Sequence, residues 1–172
     1  MSKKDKFTVV LVGVCGTGKS VTGQKVAKKL GLPFYDADAK FSEQLAADKE
    51  NAQSDQWLPA ITNLISKEYT KDGCVVSCSI LKKEQRLLLA RNLDLNIDWV
   101  FMSGTYDDVN QRLDKGLSKN QTGASLESDF QSLEIPKRAL TVDIRNTEEE
   151  TVDTILKYLA RKYGWTHLCE VV

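Results

Sequence analysis

Residues 7–20 read Phe-Thr-Val-Val-Leu-Val-Gly-Val-Cys-Gly-Thr-Gly-Lys-Ser, and this stretch decides the fold. Its first six residues, Phe7 to Val12, are apolar or β-branched without alternation, as a parallel strand buried on both faces requires. Its last eight, Gly13-Val14-Cys15-Gly16-Thr17-Gly18-Lys19-Ser20, fit the pattern GxxxxGK[ST] at every position. Glycines at these spacings let the backbone wrap closely around phosphate and turn its amides inward. The helix expected from Lys19 to Leu30 adds the positive end of its dipole. Lys19 is predicted to bridge the β- and γ-phosphates of ATP and the Ser20 hydroxyl to ligate Mg²⁺.

Outward from this loop, strands and helices alternate. Short strands are expected at Pro33–Tyr35, ending at Asp36, at Cys74–Cys78, at Trp99–Met102 and at Leu140–Ile144. Helical spacing covers 39–47, 57–69, 83–91, 106–113, 126–133 and 148–163, with Gly31 and Gly164 as stop signals. The pattern predicts one α/β domain over 1–172, a three-layer fold whose five-stranded, mostly parallel sheet is flanked by helices. The stretch Lys115 to Gly123 has turn composition without periodicity, so 115–125 is read as a mobile lid.

Composition narrows the function classes. The 172 residues carry 24 Lys+Arg against 24 Asp+Glu, so no basic field favours nucleic acid. The apolar run behind the charged N-terminus is too short for a signal segment or a membrane span, and a cytoplasmic protein is expected. Cys15, Cys74, Cys78 and Cys169 show no metal-binding spacing, and His167 is the single histidine. Cys74 and Cys78, two positions of one strand face, are expected in the core. No guanine-selecting NKxD sequence is present, and the chain is short for a motor-type ATPase.

The acceptor side rests on carboxylates and basic residues. Asp36-Ala37-Asp38 stands at the carboxyl end of the second strand, where ligands of such sheets bind. Asp36 is a candidate metal and substrate residue; Asp38 is the candidate that receives a hydrogen bond from the attacking hydroxyl. The alternative for either is to cap the next helix. Lys82 and Arg86 would lie one turn apart on one helix face and could meet an anionic acceptor, or form a solvated face. Trp57 is assigned to the core or the substrate-pocket wall.

Together, GVCGTGKS at 13–20, DAD at 36–38, Trp57-Leu58, CSILKKEQR at 78–86, Gly104, Arg112-Leu113 and SDFQSLEIP at 128–136 resemble the gluconokinase family of shikimate-kinase-like P-loop kinases. The resemblance implies ATP-dependent phosphorylation of a sugar-acid hydroxyl, gluconate to 6-phosphogluconate, on a small anionic substrate with no nucleic-acid or membrane partner. It implies that Lys82 and Arg86 contact the acceptor and that Arg112 approaches the phosphates as a catalytic residue beside Lys19 and Asp38. Arg145 and Asn146 would pass the adenine, and a homodimer is common in the family. Departures fall at Phe41-Ser42, in the shortened 52–56 segment, and at Gly116 and Lys119-Asn120 in the lid. The opening PFYDADAKF is equally similar to shikimate kinases, so another metabolite kinase of this fold is an alternative. A nucleotide-binding regulator without turnover is the alternative of another class.

Overall fold

The structure, a computed structural model, describes residues 6–114 and 123–164. The strands are β1 (Phe7–Val12), β2 (Phe34–Asp36), β3 (Gly73–Cys78), β4 (Asp98–Ser103) and β5 (Leu140–Asp143). They form one sheet in the order β2-β3-β1-β4-β5, and every pairing is parallel. The helices are α1 (Lys19–Leu30), α2 (Ala37–Lys40), α3 (Ser42–Glu50), α4 (Trp57–Tyr69), α5 (Lys83–Leu93), α6 (Tyr106–Asp114), α7 (Gly123–Ser132) and α8 (Glu148–Tyr163).

The unbroken hydrophobicity of β1 follows from its central place in the sheet. Val9 and Leu11 face one way and share a core with Val26 and Ala27 of α1 and Ile155, Leu156 and Leu159 of α8. Val10 and Val12 face the other way, onto Leu58, Ile61 and Ile65 of α4 and Leu89 and Leu93 of α5. Each such side chain, removed from water, contributes about 1.5–3 kcal/mol before the entropy of ordering is counted. Cys74 and Cys78 of β3 belong to the second core, both fully buried as expected. Burial pushes the Cys74 thiol up to about 12 and raises Cys78 as well, so both behave as small apolar side chains.

Two segments differ from the expectation. The helix expected over 39–47 is two helices, because the Asp36 carboxylate accepts the Ala39 amide and starts α2 at Ala37. Phe41 then leaves helical geometry (φ −113°, ψ 36°) and packs its ring against the second core, after which α3 begins at Ser42. Helix α7 starts at Gly123, three residues before the expected Leu126. The lid stretch 115–122 and the tail 165–172, which includes Trp165, His167 and Cys169, lie outside the described residues. Among the described residues no helix is long and apolar enough to cross a membrane.

The last helix is fixed at both ends. Thr147 and Glu150 form a reciprocal capping box, and Gly164 closes α8 in the left-handed conformation. Asp98, almost fully buried at the start of β4, accepts hydrogen bonds from Lys162 and from the Tyr163 hydroxyl. This pins the end of α8 to the amino-terminal edge of the sheet, opposite the loops that form the site.

Gly73 opens β3 in register with Phe7, and a Cβ there would stand 1.8 Å from the Phe7 carbonyl oxygen, with φ at +100°. Backbone cannot yield as a flexible side chain does, so Gly73→Ala is expected to cost roughly 2 kcal/mol or more. Urea unfolding checks this; a loss below about 0.5 kcal/mol would show that the strand start shifts freely.

Candidate active site

The phosphate loop leaves β1 at Val12 and enters α1 at Lys19. Gly16 and Gly18 hold φ of +87° and +88°, a region costly for any other residue. They are also overlaid: a Cβ on Gly16 would meet Val109 and Leu113 at 3.1 Å, and one on Gly18 would meet the Arg112 guanidinium at 3.3 Å. Helix α6 therefore roofs the loop. Gly18 is the N-cap of α1, with no side chain capping the helix and no acidic residue in its first turn. The amides at the head of α1 are thus left for an anion, the arrangement phosphate binding needs.

Inside the loop, buried Thr17 donates its hydroxyl to the Val14 carbonyl at 2.9 Å. Lys19, only 8% exposed, lies across the loop and donates to the Gly13 and Val14 carbonyls at 2.8 and 2.9 Å. Among the described residues its ammonium donates to these two neutral carbonyls, which a phosphate oxygen can replace with a charged acceptor.

The carboxyl ends of β2 and β3 bring oxygen groups to the same place. Ser20 Oγ donates to Asp36 Oδ2 at 2.6 Å and stands 3.4 Å from Ser77 Oγ of β3. Asp36 thus serves twice, one oxygen on Ser20 and the other on the helix α2 cap. Asp38, two residues on, is oriented by Ser79 in the loop after β3. The Ser79 amide donates to Oδ1 at 3.0 Å and its hydroxyl to Oδ2 at 2.5 Å. The parallel β2–β3 register that pairs Asp36 with Ser77 sets this geometry.

Helix α7 adds a carboxylate that the sequence reading did not single out. Asp129 is half-buried there, close enough to the Cys15 backbone, Lys49 of α3, Lys19 and Asp38 for each to weigh on its carboxyl. Burial raises its pKa, opposed by the Cys15 hydrogen bond and the two lysines. The quoted SDFQSLEIP motif contained the residue, but nothing in its local pattern distinguished it from an exposed helical acid. Ser79 stood within the quoted CSILKKEQR stretch without a role of its own, and Ser77 was not singled out.

Lys82 and Arg86 do not share an open face. Lys82 precedes α5 in extended conformation and is exposed, whereas Arg86 is 7% exposed. The Arg86 guanidinium donates to the carbonyls of Ile80 (3.3 Å), Leu81 (2.9 Å) and Glu134 (2.6 Å). It ties the loop after β3 to the chain leaving α7, reinforced by the Glu134 amide on the Leu81 carbonyl at 2.8 Å. Trp57 is likewise interior, 3% exposed within the second core, and its indole nitrogen has no hydrogen-bond partner among the described residues.

At the other end of the loop lies a cavity of about 150 Å³, lined by Gly18, Val21, Thr22, Arg112, Ile144, Asn146 and Glu148 among others. Arg112 donates to the Ile144 carbonyl at 3.2 Å, which holds it over the loop. Of the Arg145-Asn146 pair it is Asn146 that lines this wall. Arg145 turns outward and grips Asp143 through Nε and Nη2, holding that carboxyl down at about 2.

The comparisons with known proteins agree with this architecture. The family model described as shikimate kinase matches residues 15–160. A "Probable gluconokinase" of Dictyostelium discoideum is 28% identical, covering 91% of this chain and 88% of its own length. One from Mus musculus is 31% identical, covering 74% and 82% respectively. A crystal structure of a gluconokinase from Sinorhizobium meliloti 1021 superposes with a TM-score of 0.77 at 27% identity, over 92% of this chain and 94% of that one. The chain therefore belongs to the shikimate kinase family and, like its gluconokinase relatives, is a kinase that phosphorylates a hydroxyl group.

Proposed function

We propose that this chain transfers the γ-phosphoryl group of ATP to a hydroxyl of gluconate, giving 6-phosphogluconate and ADP. The observation that carries the reading is the convergence of Lys19, Ser20, Asp36 and Asp38 at the head of α1. Relatives that align along most of the chain and bear the gluconokinase name support gluconate over shikimate as the acceptor.

The triphosphate lies along the loop, with the amides at the head of α1 on its oxygens. Lys19 exchanges the Gly13 and Val14 carbonyls for the β- and γ-phosphates. Arg112 adds charge from α6, and the base occupies the cavity beside Asn146. The acceptor hydroxyl sits against Asp38, whose two bonds from Ser79 aim it. As the hydroxyl oxygen bonds to the γ-phosphorus, the bond from that phosphorus to the β,γ-bridging oxygen breaks and ADP departs. The hydroxyl proton passes to Asp38 and from there to solvent. Ser20 and Asp36 are hard oxygen donors placed side by side and fit Mg²⁺. When bound there with the nucleotide, the ion neutralises phosphate charge. Among the described residues no cluster of three or more His, Cys, Asp or Glu forms a cage of its own. That suits an ion carried largely by phosphate oxygens and water.

In this reading Lys82, exposed at the mouth of the loop after β3, meets the acceptor carboxylate. Arg86 acts at one remove, holding the Ile80 and Leu81 carbonyls so that Ser79 and Lys82 keep their places. Trp57 backs the pocket from the core, and Arg145 steadies the loop that presents Asn146.

Three outcomes are expected. Coupled ADP release should saturate with gluconate and remain at background with shikimate; the reverse would move the acceptor and keep the kinase. Lys19→Ala should lower kcat/KM roughly a hundred- to thousandfold, as loss of a preorganised phosphate contact does. Retention of activity within about threefold would overturn the ATP-site assignment. Asp38→Asn keeps hydrogen-bonding partners for Ser79, so the fold and ATP affinity should persist while kcat falls roughly a hundredfold or more. If ATP affinity collapsed in this variant, Asp38 would belong to nucleotide or metal binding instead.

A further inference from the structure

Helix α5 carries leucines on both of its faces. Arg86, Leu89 and Leu93 turn inward and are buried, whereas Glu84, Leu87, Leu88 and Arg91 are exposed. The last four are spaced i, i+3, i+4 and i+7, so they form one stripe along the outer side of the helix. Leu87 is 53% exposed and Leu88 37%, and with Lys83, Glu84, Arg91 and Glu134 they line a groove of about 470 Å³. The Lys83 amide donates to Glu134 Oε1 at 3.3 Å, which sets Glu134 beside the first turn of α5, and the next residue, Ile135, is 66% exposed. A solvated helix face needs no leucine pair at its centre, and apolar side chains grouped within a charged rim mark a surface that meets a partner. Among the described residues neither Glu84 nor Arg91 takes part in an ion pair.

We infer that a second copy of this chain docks on this stripe, the two α5 helices lying antiparallel across a two-fold axis. The order of the residues carries the choice of partner. The midpoint of the stripe falls between Leu87 and Leu88, with an acid one turn before it and a base one turn after. A two-fold axis through that midpoint sets Leu87 against Leu88 of the second copy and Glu84 against its Arg91, each contact occurring twice. Glu134 adds a second acid at the end of the helix that meets the base. Parallel pairing would instead set each charge on its own copy, a like-charge arrangement that opposes association. A helix pair of two turns falls at the small end of interface sizes, below about 1,200 Å² in total, so exchange between monomer and dimer in the micromolar range is expected. Arg86, on the opposite face, stays bound to the Ile80, Leu81 and Glu134 carbonyls, so the pairing engages none of the residues assigned to transfer.

The test is sedimentation equilibrium of the full chain over about 2 to 200 µM. A monomer–dimer equilibrium is expected, with a Kd between about 1 and 100 µM. Glu84→Arg and Arg91→Glu each bring like charges together twice and should weaken association roughly tenfold or more. Mixing the two variants in equal amounts opposes two bases with two acids. That mixture should recover association to within about threefold of the unaltered chain, as should both substitutions in one chain. Leu87→Gln with Leu88→Gln removes the apolar centre and should also weaken association roughly tenfold. It stands in should a charge variant lose its native circular dichroism. A monomer at every concentration overturns the inference and leaves the stripe to a different protein. A dimer indifferent to all these substitutions overturns it too, because the interface then lies elsewhere. Weakening by both single charge variants without recovery in their mixture overturns the antiparallel pairing.

Discussion

A helix needs partners for the amides of its first turn, and α1 is built without them. Gly18 offers no side chain, the first turn holds no acid, and the positive φ of Gly16 and Gly18 curls the preceding loop around the opening. The rest of the molecule is organised to keep that opening in place. Strand β1, buried on both faces, fixes where the loop begins, and α6 presses Val109, Arg112 and Leu113 onto it from above. An anion at the head of α1 completes an interaction the sequence leaves open.

The proposed acceptor side is built from serines and carboxylates rather than from an exposed basic face. Ser20 at the head of α1 meets Asp36, and Ser79 in the loop after β3 holds Asp38 at both oxygens. The loop carrying Ser79 is itself steadied by Arg86, which spans to Glu134 beyond α7. That contact couples the acceptor loop to the helix bearing Asp129.

The proposed transfer rests on four residues, Lys19, Ser20, Asp36 and Asp38. The first two are tied to their place by local chain geometry, since they open the helix that the loop feeds. The aspartates depend on β2 pairing with β3, which sets Asp36 opposite Ser77 and brings Ser79 within reach of Asp38. Serine carries no periodic signal, so neither Ser77 within β3 nor Ser79 within the CSILKKEQR stretch had a role by pattern alone.

Sequence by itself determined the parts governed by short-range rules. The apolar run of β1, the spacing of the glycines with Lys19 and Ser20, the stop at Gly31 and the acidic start of α8 each report a local constraint on backbone or burial. Alternation of such elements was enough for a parallel α/β sheet. Tertiary structure alone decided what depends on contacts distant in the chain. Two basic residues one turn apart, Lys82 and Arg86, are indistinguishable by pattern, yet Arg86 is drawn inward by three carbonyls, one of them 48 residues away. Ser79 and Asp38 likewise meet only because β2 pairs with β3, and no local propensity records such a meeting.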